Sequence, residues 1–440
     1  MDQPTPVRDE WTKRASWMLL GVVLLHILFA SIYSSITPYR SPGFTHGSLL
    51  PDIGFPDERA HANLIQLVRD DRPYPVLDPK DPQFDENYQA HQPPAYYWAV
   101  AQAMKVAGYQ DIRREPAGRF ARSINLLFGG LNLVGVGFLV YWLTGRRRQA
   151  LTAAAIVALV PANLILSAAI NNDVLLFALV TWCLGVLIWG LRTSSGWPMA
   201  LGVGLLAGLA MLTKTTAILL LAPILLMGIH KEWRSRLPWL GLAAVIALVV
   251  VAPWWARNLA VYGEPLVTQR FAEAFPGSFD KHPFRSFMAG YGWFHRLVNF
   301  TIESSTGVFG YFDLHYPNLT LLEGFFWIVV FFASAGLLSV WYQGQKTELF
   351  ALGVFTFLLC ATYFRFNLDY FQPQARYLFP ALPVVAWLMA SGLRLIHWRW
   401  TLVWMALYAF VNAATIPWVA AEFEKRTDQS RWPAYVREDS

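Results

Sequence analysis

Over 440 residues, hydrophobic side chains make up 55% and charged ones only 15%, with a mean hydropathy of +0.35. Soluble domains average about 25% charged residues, so this composition excludes an ordinary soluble enzyme and points to an all-α polytopic membrane protein. The net charge of +6 follows the loops between apolar runs as the positive-inside rule describes, so it reports topology and gives no reason to expect a nucleic-acid partner.

The chain opens "MDQPTPVRDEWTKRASWMLLGVVLLHILFA", basic and then apolar, with no small-x-small cleavage site after it. It is read as an uncleaved first span at 17–36 with the N-terminus inside. Further spans are expected near 120–143, 150–170, 174–191, 238–256, 323–342, 348–364, 377–396 and 400–419. A crossing needs about 20 apolar residues, and 199–230 is long for one and short for two. The loops holding Arg146, Arg147 and Arg148, then Arg192, then Lys231, Arg234 and Arg236, then Lys346, then Arg394 and Arg399 all fall inside only if 199–230 crosses twice. Two short helices then turn near Lys214 on the outer side, and the count becomes about 11 transmembrane helices. The same parity keeps 93–108 out of the bilayer, as an interfacial helix opened by Pro94, ended by Gly108 and anchored by Tyr96, Tyr97 and Trp98.

The expected organisation is one transmembrane domain over 1–440, with a first outer loop at 37–118, a second at 258–321 and an outer C-terminal tail at 421–440. The outer loops carry most of the acidic residues, among them Asp57, Glu58, Asp85, Glu86, Asp280, Glu303 and Asp313. Cys183 and Cys360 lie in apolar runs and are read as core residues. Two sequons, at Asn299 and Asn318, would matter only in a eukaryotic secretory compartment.

Chemistry concentrates in a few stretches. In "PDERAH", Pro56 followed by Asp57 and Glu58 is in one reading an ordinary helix start, with carboxylates at the positive end of the dipole. In the other, the acid pair works. A helix from Asp57 sets His61 on the same face and turns Ala60, Leu64 and Leu67 or Val68 towards the membrane, where desolvation would raise a carboxylate to useful base strength. In "AHQPPAYYW" the prolines stiffen a turn that presents His91 and Gln92, either as a substrate wall or as a loop anchor. Asp57, His61 and His91 are also acceptable metal ligands, so a divalent cation is an open alternative although none is required. Lys214 in "LAMLTKTTAI" either binds something or snorkels to the interface. Arg257 and Asn258 in "PWWARNLAVYG", and Arg376 with Tyr377 in "QPQARYLFPALP", stand at outer helix ends. Three cations at that level suggest an anion near the bilayer surface, with phosphate the obvious candidate. "NND" at 171–173 reads as a tight turn in which Asp173 caps the next span.

In order, "PDE", "HQPPAYY", "NND", "GLAMLTKTTAILLL", "PWWARNLAVYGEPL" and "QARYLFPALP" resemble the GT-C superfamily of integral-membrane glycosyltransferases, in particular protein O-mannosyltransferases and the aminoarabinose transferase that modifies lipid A. The resemblance spans nearly the whole chain. It departs from the aminoarabinose transferases at His91 and Gln92, where those enzymes carry an acidic-basic pair, and in the want of a sizeable C-terminal soluble domain. It implies inverting transfer of a sugar from a polyprenyl-phosphate donor to an acceptor that is a lipid, glycan or protein, at the outer face of a bacterial inner membrane. Asp57 would be the general base, with Glu58 assisting or orienting it; Lys214, Arg257 and Arg376 would hold the lipid phosphate; His61, His91 and Gln92 would line the sugar or acceptor side. The rival readings are a lipid-carrier flippase or sugar transporter, and a lipid-linked glycan polymerase or ligase. A transporter should place its ionisable residues at mid-bilayer, whereas here they gather at helix ends.

Overall fold

The computed structural model describes residues 10–45, 48–50, 52–193, 196–228, 233–275, 291–317, 319–397 and 399–437. Lys231, Asp280 and the sequon at Asn318 lie outside them. Among the described residues the strands are two short hairpins, Gly43–Thr45 with Ser48–Leu50 and Val308–Phe309 with Leu314–His315; the architecture is otherwise helical.

Helix α1 (Lys13–Ile36) is capped by the Thr12 hydroxyl, which accepts from the Ala15 amide. A short amphipathic α2 (Glu58–Arg69) and an α3 (Ala95–Val106) follow. Next come α4 (Glu115–Thr144), the bent pair α5 (Arg147–Ala158) and α6 (Pro161–Ala168), and α7 (Asp173–Thr193). Then come α8 (Gly196–Met211), a 3₁₀ turn at Thr215–Leu220 and α9 (Leu221–Leu226). The second half contains α10 (Trp233–Tyr262), α11 (Thr268–Ala274), α12 (Tyr291–Thr306), α13 (Leu319–Tyr342), α14 (Lys346–Asp369), α15 (Leu382–Ile396) and α16 (Trp400–Thr427).

The protein is integral to the membrane. Among the described residues seven helices are long and apolar enough to cross, or eight with the bent pair, and Gly196–Met211, Thr215–Leu226 and Phe326–Tyr342 are shorter apolar helices. The expected eleven crossings require each of these shorter helices to cross as well. Within 199–230 the helix breaks at Lys214, where the backbone is extended. Where α13 meets α15, a Cβ on Gly336 or Gly392 would enter the facing backbone, so glycine is what lets these helices touch.

The two ends of the bundle differ in charge. At one end Arg192 donates to the Leu143 carbonyl and to Glu348, tying the C-terminal end of α7 to α4 and to the start of α14. At the opposite ends of α7 and α14, and at the start of the 375–396 unit, lie Asp173, Tyr370 and Arg376, and there the site forms.

Three expectations need correction. Tyr96 and Tyr97 are fully buried and do not anchor α3 in an interface; their hydroxyls find partners in Asn125 and His61, which lets the rings join the core. Trp98 alone of the three is exposed. The apolar face of α2 packs on α3 and the start of α4, since Ala62, Leu64, Ile65, Tyr97, Val100 and Ala121 form one cluster, so it does not lie on lipid. Cys183 is buried as expected, but Cys360 is exposed on α14.

Candidate functional site

Asp57 and Glu58 are neighbours that face opposite ways. Asp57 precedes α2 in the left-handed region (φ 63°) and makes no capping bond with its side chain. That conformation is uncommon outside glycine and marks a place where the surroundings hold the backbone. Its carboxylate instead enters a cavity, accepting from Arg376 Nη2 at 2.7 Å and from the Tyr88 hydroxyl at 2.8 Å. Glu58 points into the protein and takes a two-pronged bond from Arg122, at 2.8 and 2.6 Å. The expectation that the two acids act as one pair at the cavity is therefore corrected: Glu58 does not line it.

Arg122 is a hub. Its remaining donors go to the carbonyls of Ser34, Thr37 and Pro38, while Glu58 also accepts from the Ile170 amide at 3.0 Å. One buried ion pair thus ties the end of α1, the start of α2, α4 and the turn before α7.

That turn is "NND". The Asn171 side chain does the capping, its Oδ1 accepting from the Asp173 and Val174 amides at 3.0 and 3.3 Å. Asp173, expected to be the cap, is thereby freed to turn its carboxylate into the cavity. It binds Lys214 Nζ and lies 3.8 Å from Arg376 Nη1. Asp57, Arg376, Asp173 and Lys214 so form a chain of alternating charge along one wall. The Tyr377 ring lies 5.3 Å from both Lys214 Nζ and the Arg376 guanidinium carbon.

"HQPP" supplies the second wall. The Tyr88 carbonyl accepts from His91 Nδ1 at 2.9 Å, so Nε2 is the acceptor for the Gln92 amide at 3.0 Å. Gln92 Oε1 is left to receive Asn172, whose amide also reaches the Thr213 carbonyl beside Lys214. The Ala95 amide donates to the Leu212 carbonyl. These bonds register three distant segments against one another. Leu176, Leu359, Phe366 and Pro380 extend the cavity wall beyond the charges, and Phe271, Phe275 and Tyr370 add an aromatic side.

Arg257 and Asn258 stand apart from the cavity. Arg257 is held among Trp254, Tyr262 and Tyr74, at 5.0, 5.2 and 5.6 Å, and donates to the Pro75 carbonyl. Asn258 bonds the Pro265 carbonyl. Both fasten extended chain to the end of α10, and neither lines the cavity that Lys214 and Arg376 share. Asp173 and Tyr88 were missed as site residues. "NND" did carry a signal for Asp173, but spacing alone does not say which of two adjacent polar residues caps.

Burial pushes the Asp57 carboxyl up, as expected from its place. Arg376, with His61 and the Tyr88 hydroxyl, outweighs burial and holds the group down at about 2. Asp57 is therefore ionised across the physiological range. Its pairing contributes stability that is complete above the ordinary carboxylate range and is lost as pH falls through about 2.

His61, whose Nδ1 lies 2.8 Å from the Tyr97 hydroxyl, and His91 are both lowered to about 4 by burial. Unfolded histidine titrates near 6.5, so as pH falls from there towards 4 the unfolded chain takes protons that the folded one refuses. At pH 5 this is expected to remove on the order of 1–2 kcal/mol of stability per histidine. A thermal-unfolding comparison at pH 7.5 and 5 should show a smaller acid loss for His61→Gln than for the parent; equal losses would show that His61 is not kept neutral. Among the described residues no group of three His, Cys, Asp or Glu side chains is placed to hold a metal ion, and the trio Asp57, His61 and His91 does not converge on one.

The sequence profile of the dolichyl-phosphate-mannose-protein mannosyltransferase family matches residues 91–256, which include "HQPP", "NND" and Lys214. The archaeal oligosaccharyltransferase AglB from Archaeoglobus fulgidus, in complex with an inhibitory peptide and a dolichol-phosphate, superposes with TM-score 0.57 at 15% identity, over 96% of this chain and 56% of that one. ArnT from Cupriavidus metallidurans bound to undecaprenyl phosphate gives TM-score 0.55 at 15% identity, over 94% and 70%. The fold is that of the GT-C membrane glycosyltransferases. The chain spans a little over half the length of the Archaeoglobus protein. That protein is also known in complex with Zn and sulfate, at TM-score 0.54 and 15% identity over 93% of this chain and 53% of that one. No curated protein matches this chain by sequence. Within the GT-C fold, the alternating charge chain stands where helix ends and connecting loops meet, at one end of the bundle.

Proposed function

We propose that this protein is a GT-C glycosyltransferase that moves a sugar from a polyprenyl-phosphate donor to an acceptor at the outer face of the membrane, with inversion. The observation that carries the reading is the chain Asp57–Arg376–Asp173–Lys214 beside an apolar wall. A lipid phosphate needs cations at its head and hydrocarbon beside it, and this cavity offers both. Basic loops at the far end of the bundle support the outward placing of the site by the positive-inside rule. The cell membrane would be a bacterial inner membrane, with the site on its periplasmic side.

In the proposed reaction an acceptor hydroxyl attacks the anomeric carbon while Asp57 takes its proton. The bond from that carbon to the phosphate oxygen breaks, and its electron pair stays on the prenyl phosphate, facing Lys214 and Arg376. A carboxylate held near 2 is a weak base. Phosphate oxygens that engage Arg376 would loosen its hold on Asp57, and burial would then raise the carboxylate towards useful basicity, so that base strength arrives with the donor. The two similar proteins were solved with dolichol-phosphate and undecaprenyl phosphate bound, the class of carrier inferred for this chain.

A divalent cation, suggested by the zinc in one relative, fits poorly. The carboxylates of Asp57 and Asp173 already face Arg376 and Lys214, and a metal between them would meet two like charges. Those two side chains supply the positive charge that the departing phosphate needs.

Replacing Lys214 with alanine is expected to lower turnover by about 10²–10³-fold, the usual loss for one group that stabilises developing charge. Undecaprenyl phosphate should also bind more weakly. Turnover assays with a prenyl-phosphate sugar, alongside carrier binding by native mass spectrometry, test both; an unchanged variant would remove Lys214 from the phosphate site.

A further inference from the structure

A second cavity, of about 520 Å³, opens on the other side of the segment that leads into Arg376. Its lining includes Asn299 and Glu303 of α12, Tyr311 and Phe312 of the hairpin loop, and Phe371 and Gln374. The two cavities share Gln372, and the Phe312 ring lies 5.6 Å from the Arg376 guanidinium carbon. The Tyr311 hydroxyl is pushed up by burial and, in addition, by the carboxylates of Asp52, Asp57 and Glu58, which places it within electrostatic reach of the base.

The chemistry of the lining is mixed. Aromatic rings alternate with amides and a carboxylate, groups that can between them both donate and accept. His295 and Arg296 line it together with Glu303, so both signs of charge meet there. Gln374 is only 6% exposed, and its Oε1 has no hydrogen-bond partner among the described residues. Rings for the C–H face of a pyranose, with amides for its hydroxyls, are what a sugar requires.

We infer that this cavity is the acceptor subsite and that it takes an uncharged saccharide, whose free hydroxyl reaches Asp57 past Gln372 and Phe312. The inference rests on the reading of the first cavity as the site of glycosyl transfer. It narrows the acceptor to a glycan or the glycan head of a lipid, and assigns the specificity to α12 and the 371–374 segment.

The test uses the full-length protein in nanodiscs. Saturation-transfer NMR is recorded with maltose, chitobiose, mannobiose and lactose, and with a short serine- and threonine-rich peptide as the competing class. Native mass spectrometry with undecaprenyl phosphate reads the first cavity separately. At least one disaccharide is expected to give signals, which fall by about five-fold or more, equivalent to about 1 kcal/mol, in Gln374→Leu and in Phe371→Ala. Phe371 is exposed, so its truncation does not threaten the fold. Undecaprenyl phosphate binding should be unchanged in both variants. No disaccharide signal, a signal that survives both variants, or binding of the peptide there in place of a sugar would overturn the inference. Failure of undecaprenyl phosphate to bind the parent protein would instead strike the proposed function.

Discussion

Asp57→Asn is expected to lower sugar transfer by about three orders of magnitude or more while the protein stays folded and still binds its lipid carrier. General-base catalysis contributes about 10²–10⁴-fold, and an amide takes no proton. The substitution is otherwise mild in shape, since the asparagine Oδ1 can still accept from Arg376 or from Tyr88, the partners that now hold the carboxylate. Arg376 loses a counter-charge but keeps Asp173 at 3.8 Å, so the cation remains available to phosphate. The measurement is transfer from a prenyl-phosphate sugar, with thermal unfolding and native mass spectrometry as controls. An Asp57→Asn protein that turns over at the parent rate would show that another group is the base, with Asp173 the first to examine.

The largest effect on stability is expected at a residue the cavity does not use. Glu58→Gln should cost about 3–5 kcal/mol, because it leaves a fully buried guanidinium without its counter-charge. Arg122 is 0% exposed and Glu58 only 4%, so water does not screen the loss. Arg122→Lys should be nearly as harmful, since an ammonium cannot reproduce the fork that reaches Glu58 and three backbone carbonyls together. A double Glu58→Leu, Arg122→Met replacement should recover part of the stability, because no charge is left unpaired, although the Ser34, Thr37 and Pro38 carbonyls and the Ile170 amide lose these partners. Thermal unfolding of the three variants decides this. If Glu58→Gln melts with the parent protein, the pair is not the support described above. Loss of the pair would also release the left-handed backbone at Asp57, so activity should fall before the protein unfolds.

The membrane class was legible from composition, because a bilayer imposes its length and polarity on every segment that crosses it. The helix break at Lys214 was legible from charge parity. The helices at 58–69 and 95–106 were legible as elements, yet their surroundings were not. Tyr96 and Tyr97 carry the same signature whether they sit in an interface or in a core, and only the packing of α2 on α3 tells these apart. Asp57, Lys214 and Arg376 were recognisable as ionisable groups at helix ends, and they do converge. Arg257 carries the same sequence signal and does not, because Trp254, Tyr74 and Tyr262 enclose it.

What the sequence by itself determined is the class of molecule and its stock of charge: a helical membrane protein whose few ionisable groups gather at helix ends, with the stiff "HQPP" turn beside them. Hydropathy and proline geometry are local properties, and local properties survive without tertiary information. The tertiary structure alone decided how those groups divide. It sent Asp57 and Glu58 in opposite directions and exchanged Asn171 for Asp173 as the cap. It also let Arg376 hold Asp57 down where burial alone would have raised it. The Asn171 cap is itself local, but the groups that receive the Asp57, Glu58 and Asp173 carboxylates lie 31 to 319 residues away, from Tyr88 to Arg376, and contacts at that separation leave no periodic mark in a single sequence.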